Sequence, residues 1–232
     1  MGGRVIFVDT WKVVRSFKEH TGTVVSLALA SNDEFLVTGS GEFVVMVWDL
    51  STGELAVRLA GLMAPVSCIT MTSNDAFVAV ACEDETLRVF GTVSGQELHE
   101  LSGHDGKVVA MVAAHDDCQL FAATVAKIYI FDIHNGKLLD ILNCVNVQPV
   151  TSLKITSDNY FLLSACGDRI DIWNIQNQNR EISATNDDQG VVTGICMSRD
   201  EKTAACATSY GVVALWDLDI CQCICTVRNH LF

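Results

Sequence analysis

Val24, Val66, Val108, Val150 and Val192 stand 42 residues apart, and each opens a similar segment: VVSLALASNDEF, VSCITMTSNDAF, VVAMVAAHDDCQL, VTSLKITSDNYF and VTGICMSRDEK. A copy of this size cannot bury both faces of its own small sheet, so neighbouring copies must stack to build a continuous core. Each copy closes on an alternating run with an aromatic near its end: MVWDL, LRVFGT, IYIFDI, IDIWNI and ALWDL, with Trp48, Phe90, Phe131, Trp173 and Trp216 in register to within one residue. Alternation with period two, Asn-Asp or Asp-Asp turns and Val/Ile-rich runs predict short antiparallel strands, four to a unit.

The rest of the composition fits that reading. Of 232 residues, 50% are hydrophobic and only two are proline, which suits a compact domain. No stretch approaches a membrane span and the start, MGGRVIFVDTWK, lacks a secretory layout, so the expectation is a soluble cytoplasmic protein. Ten cysteines without an Asn-X-Ser/Thr acceptor anywhere read as free thiols in a reducing compartment. A net charge of −13, with no basic cluster, argues against nucleic acid as a partner.

The segments WDLSTGE (48–54), WDLD (216–219), SGHDGKVVAM (102–111) and ACEDETLRVF (81–90) resemble WD40 repeats over nearly the whole chain. The degenerate copies are similar to those of NACHT and WD repeat-containing proteins. The resemblance implies an all-β, WD40-like β-propeller with five full four-stranded blades and a partial N-terminal blade, as one domain spanning 1–232. The partial blade is residues 1–20, and the repeats fall near 21–62, 63–104, 105–146, 147–188 and 189–232. The family's hydrogen-bond network within a blade would draw on His20, Ser40, Glu42 and Trp48 in the first repeat. Its other structural positions include Asp49, His104, Trp173, Trp216 and Asp217. No repeat has the full set: at the Ser/Thr position Cys82 and Cys166 stand where Ser40, Thr124 and Thr208 do, at the His position Leu62, Asn146 and Asp188 replace the imidazole of His20 and His104, and at the turn-Asp position Glu42, Ala126 and Tyr210 stand where Asp84 and Asp168 do. A half-satisfied buried network is worse than an apolar one, so the other blades should cohere by apolar stacking.

RVIFV and KVVRSF read as the last two strands of a preceding blade, which makes twenty-two strands in all. Propellers use whole blades of four strands, so the expectation is an incomplete propeller or a fragment, open to oligomerisation through exposed blade faces.

Cys221, Cys223 and Cys225 alternate along one strand, with neighbours about 6.5 to 7 Å apart, and splay rather than converge as zinc ligands must. No metal or cofactor is expected. By the resemblance, Glu42, Glu83, Asp84, Glu85 and Asp168, in loops between second and third strands, share a rim with Asp105, Asp187 and Asp188, which enter first strands. Two readings stand there: ordinary solvated loops, or a docking surface for a basic peptide or domain of another protein. No nucleophile-base-acid constellation or phosphate-cradling loop emerges, and TGSG (38–41) lacks the Lys and helix of a P-loop. Among the segments expected nearest the axis only Lys154 is charged. A non-enzymatic interaction scaffold within a larger intracellular protein is therefore expected. The alternatives are a sensing or autoregulatory domain of a NACHT-type protein, a propeller enzyme, and a structural spacer.

Overall fold

The computed structural model describes residues 3–6, 13–144, 148–185, 190–218, 220 and 222–228. Every element in it is a strand. β1 (Gly3–Ile6) and β2 (Val13–Phe17) form a two-stranded antiparallel sheet. Blade 1 is β3 (Val24–Leu29), β4 (Phe35–Ser40), β5 (Val45–Asp49) and β6 (Leu55–Leu59). Blade 2 is β7 (Val66–Met71), β8 (Phe77–Cys82), β9 (Leu87–Gly91) and β10 (Glu97–Glu100). Blade 3 is β11 (Ala110–Ala113), β12 (Gln119–Ala123), β13 (Lys127–Asp132) and β14 (Leu138–Asn143). Blade 4 is β15 (Val150–Ile155), β16 (Phe161–Cys166), β17 (Arg169–Asn174) and β18 (Asn179–Thr185). Blade 5 is β19 (Val192–Met197), β20 (Thr203–Thr208), β21 (Val212–Asp217) and β22 (Gln222–Arg228). Each blade pairs its strands in chain order. The expected fold class holds: these are the blades of a WD40-like propeller, and the set is incomplete, since a two-stranded sheet precedes five four-stranded ones.

The turn between the first two strands shows how residue type makes the blade. Asp33, Asp75, Asp117, Asn159 and Glu201 all have φ between 57° and 61°, a left-handed conformation that short polar side chains tolerate better than most. Their N–H groups donate to Ala30, Thr72, Ala114, Thr156 and Ser198, and each of those residues pairs with the start of the second strand. One hairpin is thus built five times.

First strands share a second irregularity. Their pairing slips between Val24 and Ser26, Val66 and Cys68, Val150 and Ser152, and Val192 and Gly194. Such a bulge re-aims the extra side chain. The bulged Ser67 donates its hydroxyl to Val108 O at 2.9 Å, and the bulged Thr151 to Val192 O at 2.6 Å, tying each to the next repeat's opening valine.

The described residues fall into two compact units, those within 1–108 and 131–138, and those within 109–130 and 139–232. In the first, Val45 and Val47 of blade 1 pack against Val66, Ile69, Val80 and Phe90 of blade 2. Gly39 sits in that seam, where an added Cβ would lie 2.7 Å from Val66 Cγ1. A smaller cluster joins Phe17 of β2 to Leu36, Met46 and Trp48 of blade 1. In the second unit Leu163, Ala165, Ile170 and Ile172 of blade 4 meet Val192, Ile195 and Trp216 of blade 5. Burial at about 25 cal/mol per Å² of apolar surface is the main term holding such faces together.

Candidate functional site

The loops between second and third strands and the segments entering first strands do come together within each unit, and side chains show what each acid does there. In blade 1 Glu42 is committed to its own fold. Its carboxylate accepts from Thr21 N, Gly22 N and the Thr21 hydroxyl, and lies 2.8 Å from His20 Nδ1. The Thr21 hydroxyl bond, opposed by some burial and aided by His20, lowers its pKa to about 2.

His20 continues inward. Its Nε2 lies 2.7 Å from Thr38 Oγ1, which also accepts from Trp48 Nε1 at 2.8 Å. A consistent chain of donors follows: indole N–H to Thr38, Thr38 hydroxyl to His20 Nε2, and His20 Nδ1–H to Glu42. The hydroxyl in the network is therefore Thr38, not Ser40. Register explains the correction. Trp48 pairs with Leu36 and Met46 with Thr38, so the indole reaches one diagonal step to Thr38. Ser40 lies a further alternation away and instead accepts Glu42 N at 3.1 Å.

The other acids differ. Glu83 is paired with Lys107 Nζ at 2.6 Å. Asp84 accepts from Thr86 N and its hydroxyl, and these bonds outweigh burial to lower its pKa. Glu85, at φ 65°, offers its carbonyl to His104 Nε2 at 2.9 Å, while its exposed carboxylate projects from the same hairpin. Asp105 is exposed on the segment entering blade 3. In the second unit Asp168 lines an open cleft of about 460 Å³ with Gln148, Gly190, Val191, Ser209 and Tyr210, and Tyr210 is 73% exposed. Asp187 and Asp188 lie outside the described residues, as does Cys221.

Asp49 and Asp217 have a different task at the opposite end of their strands. Asp49 accepts from Ser51 N, the Ser51 hydroxyl and Thr52 N, which lowers its pKa, and Asp217 accepts from Ile220 N. Blade 4 does the same with Asn174, which accepts from Gln176 N.

Residues 11–49 match the family WD domain, G-beta repeat. The chain is 25% identical over 222 residues to Autophagy-related protein 16 of Arabidopsis thaliana, covering 91% of this chain and 42% of that protein. It is 23% identical over 166 residues to Serine-threonine kinase receptor-associated protein of Dictyostelium discoideum (70% of this chain, 55% of the relative). It is 26% identical over 165 residues to Pre-mRNA-processing factor 19 of Oryza sativa subsp. japonica (68% and 31%). This is a WD40-repeat protein. The chain spans less than two thirds of the length of each of these relatives.

Within the WD40 repeats the aromatic and its acceptor vary together. Trp173 Nε1 donates to Ser164 Oγ at 2.9 Å and Trp216 Nε1 to Cys206 Sγ at 3.1 Å, matching Trp48 and Thr38. Where the aromatic is Phe90 or Phe131, with no N–H, the equivalent residues are the buried Val80 and Ala122. Thr38, Ser164 and Cys206 were missed in the sequence, although each stands nine or ten residues before a Trp.

Burial disfavours the thiolate form of several cysteines: it pushes Cys68 up to about 12 and raises Cys82, Cys206 and Cys223. Cys144 is raised by its bond with the Cys166 thiol and by burial. Among the described residues no three His, Cys, Asp or Glu converge to hold a metal ion, and no helix is long and apolar enough to cross a membrane.

Proposed function

We propose that this chain is a non-enzymatic protein–protein interaction scaffold of an intracellular, cytoplasmic protein, and that its acidic rim docks a basic segment of the partner. The observation that carries the reading is the Asp168 cleft. A carboxylate beside a largely exposed tyrosine and the amide of Gln148 matches the needs of a Lys or Arg side chain, with charge for the head group and a ring face for the stem. Glu42 is removed from the candidate surface, because its carboxylate is consumed by His20, Thr21 and Gly22. Relatives named for different processes share the repeat, which suits a common platform rather than a common reaction.

The test is an array of Lys- and Arg-rich peptides against the chain, followed by titration of the best binder. Asp168→Lys with Tyr210→Ala should weaken binding about tenfold or more, and 0.5 M salt should weaken it further. Binding that is unchanged in Asp168→Lys, Tyr210→Ala and in the triple change Glu83→Lys, Asp84→Lys, Glu85→Lys would sink the reading.

A further inference from the structure

Blades 4 and 5 leave a cleft of about 390 Å³ at the margin of their shared core. It opens beside the turns that join first to second strands, at the opposite end of β16 from Asp168. Leu163 and Ile172, exposed by 1% and 8%, form its floor, and the half-buried Phe161, Ile182 and Leu218 form its walls.

Three carboxylates stand around this apolar surface: Asp158, Glu181 and Glu201. Glu201 is spent on the joint itself, where its two oxygens accept from Ser157 N at 2.7 Å and from the Ser157 hydroxyl at 3.1 Å. The other two are held by one oxygen each. Asp158 Oδ1 accepts from the Thr156 hydroxyl at 2.6 Å and from Tyr160 N at 2.9 Å, bonds that lower its pKa. Glu181 Oε1 accepts from Asn174 Nδ2 at 2.7 Å. Among the described residues no donor meets Asp158 Oδ2 or Glu181 Oε2. The neighbouring cations are engaged elsewhere: Arg180 lies 3.6 Å from Asp171, and the charge of Lys202 acts on Asp200. The joint of blades 1 and 2 has Asn32 and Ala56 in the places of Asp158 and Glu181, so neither carboxylate is needed to build such a joint.

We propose that this cleft docks a short extended segment of a partner protein in which a leucine-sized apolar residue stands beside an arginine or lysine. The apolar side chain would cover Leu163 and Ile172, and the cation would meet Asp158 Oδ2 and Glu181 Oε2. The inference rests on the interaction-scaffold reading and adds a second surface to it, at the other end of the strands. Charge decides the occupant: an acidic or wholly apolar segment would desolvate two carboxylate oxygens and leave them unpaired. The volume lies near the lower end of the roughly 300–1,000 Å³ of ligand sites, which suits side chains rather than a folded domain.

The probe is the blocked peptide acetyl-Gly-Gly-Leu-Arg-Gly-Gly-amide, titrated into the isotope-labelled 232-residue chain and followed by amide chemical shifts. Saturable shifts are expected at Leu163, Ile172, Ile182 and Leu218. Replacing the peptide's leucine by serine should weaken binding about tenfold, and replacing its arginine by glutamate about fivefold or more. Both controls leave the protein itself untouched. In the chain, Glu181→Lys at an exposed position should weaken the arginine peptide and strengthen the glutamate one, with a thermal melt establishing that the variant folds. No saturable shift at the cleft overturns the proposal, as do shifts there that ignore the peptide's leucine, its arginine and Glu181→Lys. Shifts at Ser209 and Tyr210 alone would place the peptide on the rim, overturning this site while keeping the scaffold reading. Cleft shifts that persist when no Lys- or Arg-rich peptide binds the rim would count against the rim alone.

Discussion

Blades 1 and 2 fill the same space with opposite chemistry. Blade 1 places His20, Thr38 and Trp48 where blade 2 places Leu62, Val80 and Phe90, and all six side chains are buried. In blade 1 each buried N–H or O–H finds a partner along one line of donors. In blade 2 the three positions are apolar together and join one hydrophobic cluster. The difference shows that the three positions form a unit. A buried indole N–H without an acceptor costs about 1–3 kcal/mol, so a repeat that loses the hydroxyl does better to lose the indole as well.

The comparison can be broken most severely by Thr38→Val, which strands both Trp48 Nε1 and His20 Nε2. A loss of about 2–3 kcal/mol is expected in urea unfolding. The triple exchange His20→Leu, Thr38→Val, Trp48→Phe, which writes blade 2 into blade 1, should recover at least half of that loss. Additive losses in the cycle would show that the positions act separately.

Ser164→Ala tests the same bond in blade 4, where the sequence has Asn146 at the position of His20. About 1–2 kcal/mol is expected, read from the shift in thermal midpoint. Glu42 supplies a pH test. Its folded pKa lies below the unfolded value, so its contribution is fully present above about pH 4.5 and is lost as the pH falls towards 2. Glu42→Gln should flatten the acid limb of the stability curve at a cost of about 1 kcal/mol near neutrality. Cys206→Ala should be smallest, a few tenths of a kcal/mol, because a thiol is a weak acceptor for Trp216.

The blade count and strand order were legible because alternation, turn residues and a fixed period report the same unit at every pass. Which hydroxyl meets the indole was not. Thr38 and Ser40 lie on the same face two residues apart, and alternation cannot choose between them; the pairing of Leu36 with Trp48 does. The Trp-with-acceptor, Phe-without pattern carried that information without any register. At the rim, Glu42, Glu83, Asp84, Glu85 and Asp168 lie between second and third strands, but sequence could not show which were already spent. Glu83 meets Lys107 across 24 residues, and Glu42 meets His20 across 22, distances over which only the folded chain brings groups together.

The left-handed turn residues give the stack a polarity. Three joints have their carboxylate or amide on the later blade and their backbone N–H groups on the earlier one: Asp75 on Ser31, Asn159 on His115 and Glu201 on Ser157. Opening a joint therefore leaves unlike ends: a charged side chain that water solvates readily, and backbone amides that begin to exchange their hydrogens. Wear on such a stack is directional, and amide exchange at Ser31, His115 and Ser157 would register each joint from one side only.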